Sequence, residues 1–168
     1  LPAIHSAGWA LVLSSLMVGA QPGFSAIIAG RTHQLIGAAR MAEKIGAERQ
    51  RAYLERFGLM RPSDLELPEI ATPLTPERWG ELTTMTIGYG HGIAVSLLQV
   101  ASATAAVVNS GVFYAPTLLS RDGLGGAIGR RVISARTSEQ MRLMMRLNVA
   151  DGTGRKAEVQ GYRIGGKT

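Results

Sequence analysis

Residues 87–99 read Ile87-Gly88-Tyr89-Gly90-His91-Gly92-Ile93-Ala94-Val95-Ser96-Leu97-Leu98-Gln99. The three glycines within positions 88–92 require special backbone angles or close approach to another segment. The text then changes character. Small and apolar residues dominate as far as Val108, and Asn109-Ser110-Gly111 stops the run. The spacing predicts a helix over 94–109, with Val95, Leu98, Ala101, Ala105 and Val108 along one stripe. Ser102, Ala103 and Ala106 fill the other faces, so burial all round is expected. Val112-Phe113-Tyr114 follows as a short strand. His91 has no acid, base or ligand partner in sequence reach, so the glycine turn reads as scaffold rather than as a catalytic group.

Upstream, two short helices stand in tandem. Residues 37–46 place Met41 and Ile45 four apart, with Gly46 as a stop. Residues 47–57 put Tyr53, Leu54 and Phe57 on one face and leave Glu48, Arg49, Arg51 and Glu55 outside; Gly58 is the expected C-terminal cap. Residues 59–80 contain Pro62, Pro68, Pro73 and Pro76 and read as a long surface connection, anchored at its end by Trp79. Downstream, 121–129 is a glycine-rich turn region and Arg131-Val132-Ile133 a strand. Thr137 and Gln140 have the spacing of a capping box, opening a helix whose apolar side is Met141, Met144, Met145 and Val149. Asp151-Gly152-Thr153-Gly154 is a turn, 155–158 a short helical piece, and Val159, Tyr162 and Ile164 suggest a final strand.

Composition narrows the function classes. The chain has 168 residues, 46% of them hydrophobic, and a net charge of +6. Only Lys44, Lys156 and Lys167 are lysines, and the arginines are scattered. A nucleic-acid binder concentrates its charge on one face, so no nucleic-acid partner is expected. The absence of cysteine excludes a disulfide framework, thiol catalysis and cysteine-ligated zinc. His5, His33 and His91 lack ligand spacing, so no metal and no cofactor are expected. Gly152-Thr153-Gly154-Arg155-Lys156 lacks the spacing of a phosphate loop. Residues 1–35 form an apolar segment, and Trp9–Ala20 is too short to span a bilayer.

Three segments, taken together, carry a family resemblance. They are residues 87–99, then Ala105-Ala106-Val107-Val108-Asn109-Ser110-Gly111, then Asp151-Gly152-Thr153-Gly154 followed by Gly161-Tyr162-Arg163-Ile164-Gly165-Gly166-Lys167-Thr168. Their order and spacing resemble the transpeptidase domain of class B penicillin-binding proteins, in particular the cell-division (septal) peptidoglycan D,D-transpeptidase. Residues 37–58 resemble the helical segment after that family's second motif. The resemblance covers 36–168 and divides the chain there. Residues 1–35 are unassigned: either a shifted reading frame, in which a Ser-x-Asn motif was lost just before Ile36, or a divergent segment.

The resemblance implies an α+β fold, an antiparallel sheet flanked by helices, of which this chain is a part. It implies acyl transfer through a serine acyl-enzyme, at the periplasmic side of a bacterial inner membrane. Peptidoglycan stem peptides and beta-lactams would be ligands, and division-machinery proteins partners. The chemistry needs Ser-x-x-Lys, Ser-x-Asn and Lys-Thr-Gly meeting in one cleft. Lys167 and Thr168 fall at Lys-Thr, where the lysine offers positive charge near the substrate carboxylate and the threonine hydroxyl binds it. No serine has lysine three residues later, and no asparagine has serine two residues earlier. The positions of the second motif hold His33 and Leu35, and Leu97 stands where the family usually has proline. No catalytic nucleophile is therefore assigned. A non-catalytic interaction or scaffold module of the cell envelope is the alternative reading.

Overall fold

The computed structural model describes residues 34–120 and 128–167. Expectations for 1–33, for most of the glycine-rich region and for Thr168 lie outside the described residues. Among the described residues, five α-helices and one two-stranded sheet follow in the order α1 (Gln34–Ile45), α2 (Ala47–Arg56), α3 (Glu81–Gly88), α4 (Leu97–Val108), β1 (Val112–Phe113), β2 (Arg130–Arg131) and α5 (Ala135–Ala150), with a 3-10 turn at Arg155–Ala157. β1 and β2 are antiparallel, Val112 facing Arg131 and Phe113 facing Arg130. The expected α+β class is what these elements form.

α1 and α2 form where their periodicity places them, separated by Gly46 at φ 80°. α2 ends in a Schellman motif. The Gly58 amide donates to the Glu55 carbonyl and the Leu59 amide to the Leu54 carbonyl, both at 3.0 Å. Gly58 takes φ 74°, which is why glycine stands there. Leu54 and Leu59 are buried beside Phe57, which is fully enclosed. These residues begin a core that continues through Ile87, Ala103, Ala106, Val107, Val132, Ile133 and Met141. Apolar surface removed from water there stabilises the fold by about 25 cal/mol per Å2.

Trp79 packs against this core, and its Nε1 donates to Gln50 Oε1 at 3.2 Å. Gln50 is buried on α2, and its Nε2 donates to the Thr84 carbonyl at 2.9 Å. The long connection 59–80 holds no helix and only an isolated antiparallel bridge, Leu74 to Ala94. α3 has no counterpart in the sequence reading. Its turns are rich in β-branched threonine, a weak helix signal. Tertiary contact overrides that propensity: Thr84 and Ile87 are buried, and Thr84 Oγ1 donates back to the Gly80 carbonyl at 2.9 Å.

Gly88 ends α3 at its crossing with α1. A Cβ there would lie 2.6 Å from Ala42 Cβ and 3.0 Å from the Ala38 carbonyl oxygen. Gly90 and Gly92 take φ 97° and 99°. The glycine cluster thus combines the two requirements read from its sequence, close approach and unusual backbone angles. His91 is exposed, its amide donating to the Thr86 carbonyl at 3.0 Å.

The strand expected at Arg131-Val132-Ile133 forms at Arg130–Arg131, because the amides of Val132 and Ile133 both turn to the Gly111 carbonyl. Three further expectations need correction. α4 begins at Leu97, capped by Ser96, and not at 94. Its buried stripe is Gln99, Ala103, Ala106 and Val107, while Ala101 and Ala105 are exposed and Leu97 is 67% exposed, so the helix is not buried all round. The stripe was displaced because a glutamine was not counted as a core residue. Its side chain closes a capping box with Ser96, and its Nε2 donates to the carbonyls of Gly58 (3.0 Å) and Arg61 (2.8 Å). α5 is capped by Ser134, whose Oγ accepts from the Thr137 amide at 3.0 Å, so Thr137 is the third helical residue and not the cap. The final strand at Val159, Tyr162 and Ile164 does not form. Val159 and Tyr162 are exposed, and the Ile164 carbonyl and both backbone polar groups of Gly166 turn to α5 instead of to a strand partner. Met141, Met145 and Val149 are buried on α5 as expected.

Candidate functional site

The one stretch where predicted site residues meet described structure is the run into Lys167, and α5 positions it. Ser138 anchors the first half of that helix. Its buried hydroxyl donates to the Val107 carbonyl at 2.6 Å and accepts from the Ser110 amide at 3.1 Å. Met141, Met145 and Val149 hold the helix face against the core. The opposite end of α5 then presents Arg146 and Asn148 toward the returning chain.

The return is made by Asp151-Gly152-Thr153-Gly154. The amides of Gly152 and Gly154 both donate to the Asn148 carbonyl at 3.0 Å, closing the helix terminus. These donors serve the helix end, and Arg155 adds bonds to the Asp151 carbonyl and carboxylate, each 3.1 Å. After the 3-10 turn, Glu158 meets Arg146 in a bidentate pair at 2.5 and 2.9 Å. That pair holds the Glu158 carboxyl below the usual range, chiefly through the hydrogen bond.

The segment Ile164-Gly165-Gly166 runs along the last turns of α5. Arg146 Nη1 donates to the Ile164 carbonyl at 3.0 Å, the Gly166 amide donates to the Met145 carbonyl at 3.1 Å, and Asn148 Nδ2 donates to the Gly166 carbonyl at 2.9 Å. A Cβ on Gly165 would come within 3.2 Å of Arg146 N and Met145 Cβ, so a side chain would crowd the segment against the helix. Both polar groups of Gly166 are therefore spent on α5. The peptide plane that leads into Lys167 is fixed.

Lys167 itself is partly buried, and burial lowers its ammonium from the ordinary lysine value. Among the described residues, no ion pair involves it. A partly desolvated cation with no carboxylate partner is suited to receive an anionic group. A groove of about 640 Å3 opens beside the segment, lined by Arg142, Leu143, Arg146, Arg163, Ile164 and Gly165. Among the described residues, no group of three His, Asp or Glu could hold a metal. No described helix is long and apolar enough to cross a membrane.

The scaffold and its ending can be set beside known proteins. The family model of the penicillin binding protein transpeptidase domain matches residues 33–168. The chain belongs to that family. It is 40% identical over 136 residues to the probable peptidoglycan D,D-transpeptidase FtsI of Caulobacter vibrioides, covering 79% of this chain and 23% of that protein. It is 33% identical over 146 residues to stage V sporulation protein D of Bacillus subtilis, covering 79% and 22%. Among solved structures, the apo transpeptidase domain of Burkholderia pseudomallei penicillin-binding protein 3 superposes with a TM-score of 0.73 at 30% identity, over 79% of this chain and 41% of that one. The ampicillin complex of penicillin-binding protein 3 from Mycobacterium tuberculosis superposes with a TM-score of 0.59 at 26% identity, over 78% and 30%. The chain thus spans about a quarter of the length of the curated relatives it matches.

Within this transpeptidase domain, the sequence reading singled out Lys167 and Thr168 and passed over Arg146 and Asn148. Their role depends on a segment 18 residues away folding back onto α5. The one local sign was an asparagine, a poor helix former, in a last turn just before a glycine-rich return.

Proposed function

We propose that this chain is part of a peptidoglycan D,D-transpeptidase of cell-wall synthesis and division, in which the segment ending at Lys167 edges the substrate cleft. On this reading Lys167 lends positive charge to the terminal carboxylate of a D-alanyl-D-alanine stem peptide, and Thr168 lends its hydroxyl. Beta-lactams would occupy the same edge; a structural neighbour is described in complex with ampicillin. The domain would face the periplasm at a bacterial inner membrane, within reach of division proteins. The observation that carries the reading is the docking of Ile164-Gly165-Gly166, the run into Lys167, on α5, inside a family match over 33–168.

The acyl step of such an enzyme forms a serine–carbonyl bond and releases the terminal D-alanine as an amine, the serine proton passing to a neighbouring base. No serine of this chain has a lysine one helical turn later to take that proton. The chain's own task is therefore to hold and orient the substrate. Two measurements test this. The purified chain should form no denaturation-resistant adduct with a fluorescent penicillin. Acetyl-lysyl-D-alanyl-D-alanine should perturb the NMR signals of Lys167, and Lys167→Ala should abolish the perturbation. A stoichiometric adduct would overturn the assignment of inactivity. Peptide that leaves Lys167 unmoved would sink the substrate-edge reading and favour a scaffold module.

A further inference from the structure

We infer that Asn148 is a positioning residue for Lys167, acting as a bracket between the Asp151-Gly152-Thr153-Gly154 turn and the segment that carries the lysine. Its relevance to substrate rests on the reading above, but its geometry stands alone. Asn148 uses three of its groups at once. Its carbonyl accepts the amides of Gly152 and Gly154 at 3.0 Å, its Oδ1 accepts from Thr153 Oγ1 at 3.1 Å, and its Nδ2 donates to the Gly166 carbonyl at 2.9 Å. The carboxamide is planar. Holding Oδ1 from the turn side aims Nδ2 at Gly166, so the Thr153 hydroxyl selects the side-chain orientation that serves Lys167.

The carbonyl that Asn148 holds belongs to the peptide bond preceding Lys167. The Gly166 amide, in the peptide plane before it, is held by the Met145 carbonyl at 3.1 Å, so each of the two planes flanking Gly166 is tied to α5 by one bond, and rotation of the plane that leads into Lys167 would break the bond from Asn148. Arg146 fixes the chain two residues earlier, at Ile164, with 3.0 Å. It is itself steered by Glu158. Arg146 thus sets the path of the segment, and Asn148 sets the plane from which the lysine leaves it. Burial lowers the Lys167 ammonium, and on this inference the bond from Asn148 keeps the lysine in that buried position.

The test uses the full 168-residue chain. Lys167 is one of three lysines, so its side-chain signal can be assigned by NMR and titrated, with Lys44 on α1 as the control. Asn148→Leu preserves bulk and removes both hydrogen-bonding groups. It should move the Lys167 midpoint upward, toward the ordinary lysine range, and leave that of Lys44 in place. Affinity for acetyl-lysyl-D-alanyl-D-alanine should fall about threefold to tenfold, as expected for one hydrogen bond. Thr153→Val should act in the same direction but more weakly, and Thr153→Ser should restore the wild-type behaviour. A merely structural role would lower the melting temperature without moving the Lys167 midpoint. A folded Asn148→Leu with an unchanged Lys167 midpoint overturns the inference. Should that variant not fold, the Val and Ser variants at 153 decide by the same readout. If the Lys167 midpoint moves as expected while the wild-type chain ignores the peptide, positioning stands and the substrate reading falls.

Discussion

Gly88→Ala should destabilise the chain although it replaces glycine by the best helix former. The new methyl would sit 2.6 Å from Ala42 Cβ and 3.0 Å from the Ala38 carbonyl oxygen. Carbon atoms prefer about 3.5–4.0 Å, so α1 and α3 would have to separate by about 1 Å at their crossing. Neither contact is the free end of a long side chain, so little can give way. Overpacking of this kind costs about 1–3 kcal/mol. Against it stands a helix-propensity gain of at most about 1 kcal/mol, reduced at the last helical residue. The balance is a loss of about 1–2 kcal/mol, which lowers the urea midpoint by roughly 0.5–1 M for a slope near 2 kcal/mol per M. A double-mutant cycle isolates the contact. Ala42→Gly alone should cost about 1 kcal/mol through propensity, yet should stabilise the Gly88→Ala background. A Gly88→Ala midpoint at or above the wild type, or strictly additive effects, would refute the reasoning.

Gln99→Leu keeps apolar volume but strands the carbonyls of Gly58 and Arg61 and opens the capping box with Ser96. A loss of about 2–4 kcal/mol is expected from the unsatisfied groups together, read by thermal melting, with the first turn of α4 exchanging its amides fastest. Ser138→Ala removes the bond to the Val107 carbonyl and leaves the Ser110 amide without its acceptor. About 1–3 kcal/mol should be lost in urea unfolding. Lys167 yields a pH signature. Its ammonium is lowered in the folded state by burial, so the unfolded chain binds the proton more tightly. Stability should therefore rise with pH through the alkaline window between the lowered folded value and the ordinary lysine value. Lys167→Met should flatten that slope in denaturation midpoints taken across the window; an unaltered slope would place its origin elsewhere.

The parts of the fold that were legible in the sequence are those where local chemistry and tertiary packing agree. α2 carries an apolar face of Tyr53, Leu54 and Phe57 and a glycine at the αL position, and both signals survive folding. The glycines of 88–92 were read as constrained, though not which partner constrained them, because Ala38 and Ala42 lie far away in the chain. Failures arose where a polar side chain belongs to the core. Gln99 and Ser138 are buried because each satisfies distant backbone groups, and a hydrophobicity pattern assigns such residues to the surface. α3 was missed for the complementary reason: its threonines argue locally against a helix, and α1 supplies what propensity lacks.

The site shows the same division. Gly165-Gly166-Lys167-Thr168 stands out in the sequence through the family resemblance. Its support does not, because nothing in residues 163–166 names the helix that holds them. The expected strand alternation of Val159, Tyr162 and Ile164 was an over-reading of β-branched and aromatic text without a partner for its ladder. In the structure the backbone of Ile164 and Gly166 bonds to Arg146, Met145 and Asn148. Gly165 allows the approach, and Met141, Met145 and Val149 anchor the helix from the other side. The placement of Lys167 is therefore inherited from the core. Substitutions that loosen the methionine face of α5 should disturb the lysine without touching it, whereas substitutions in the exposed Leu82 or Leu97 should not.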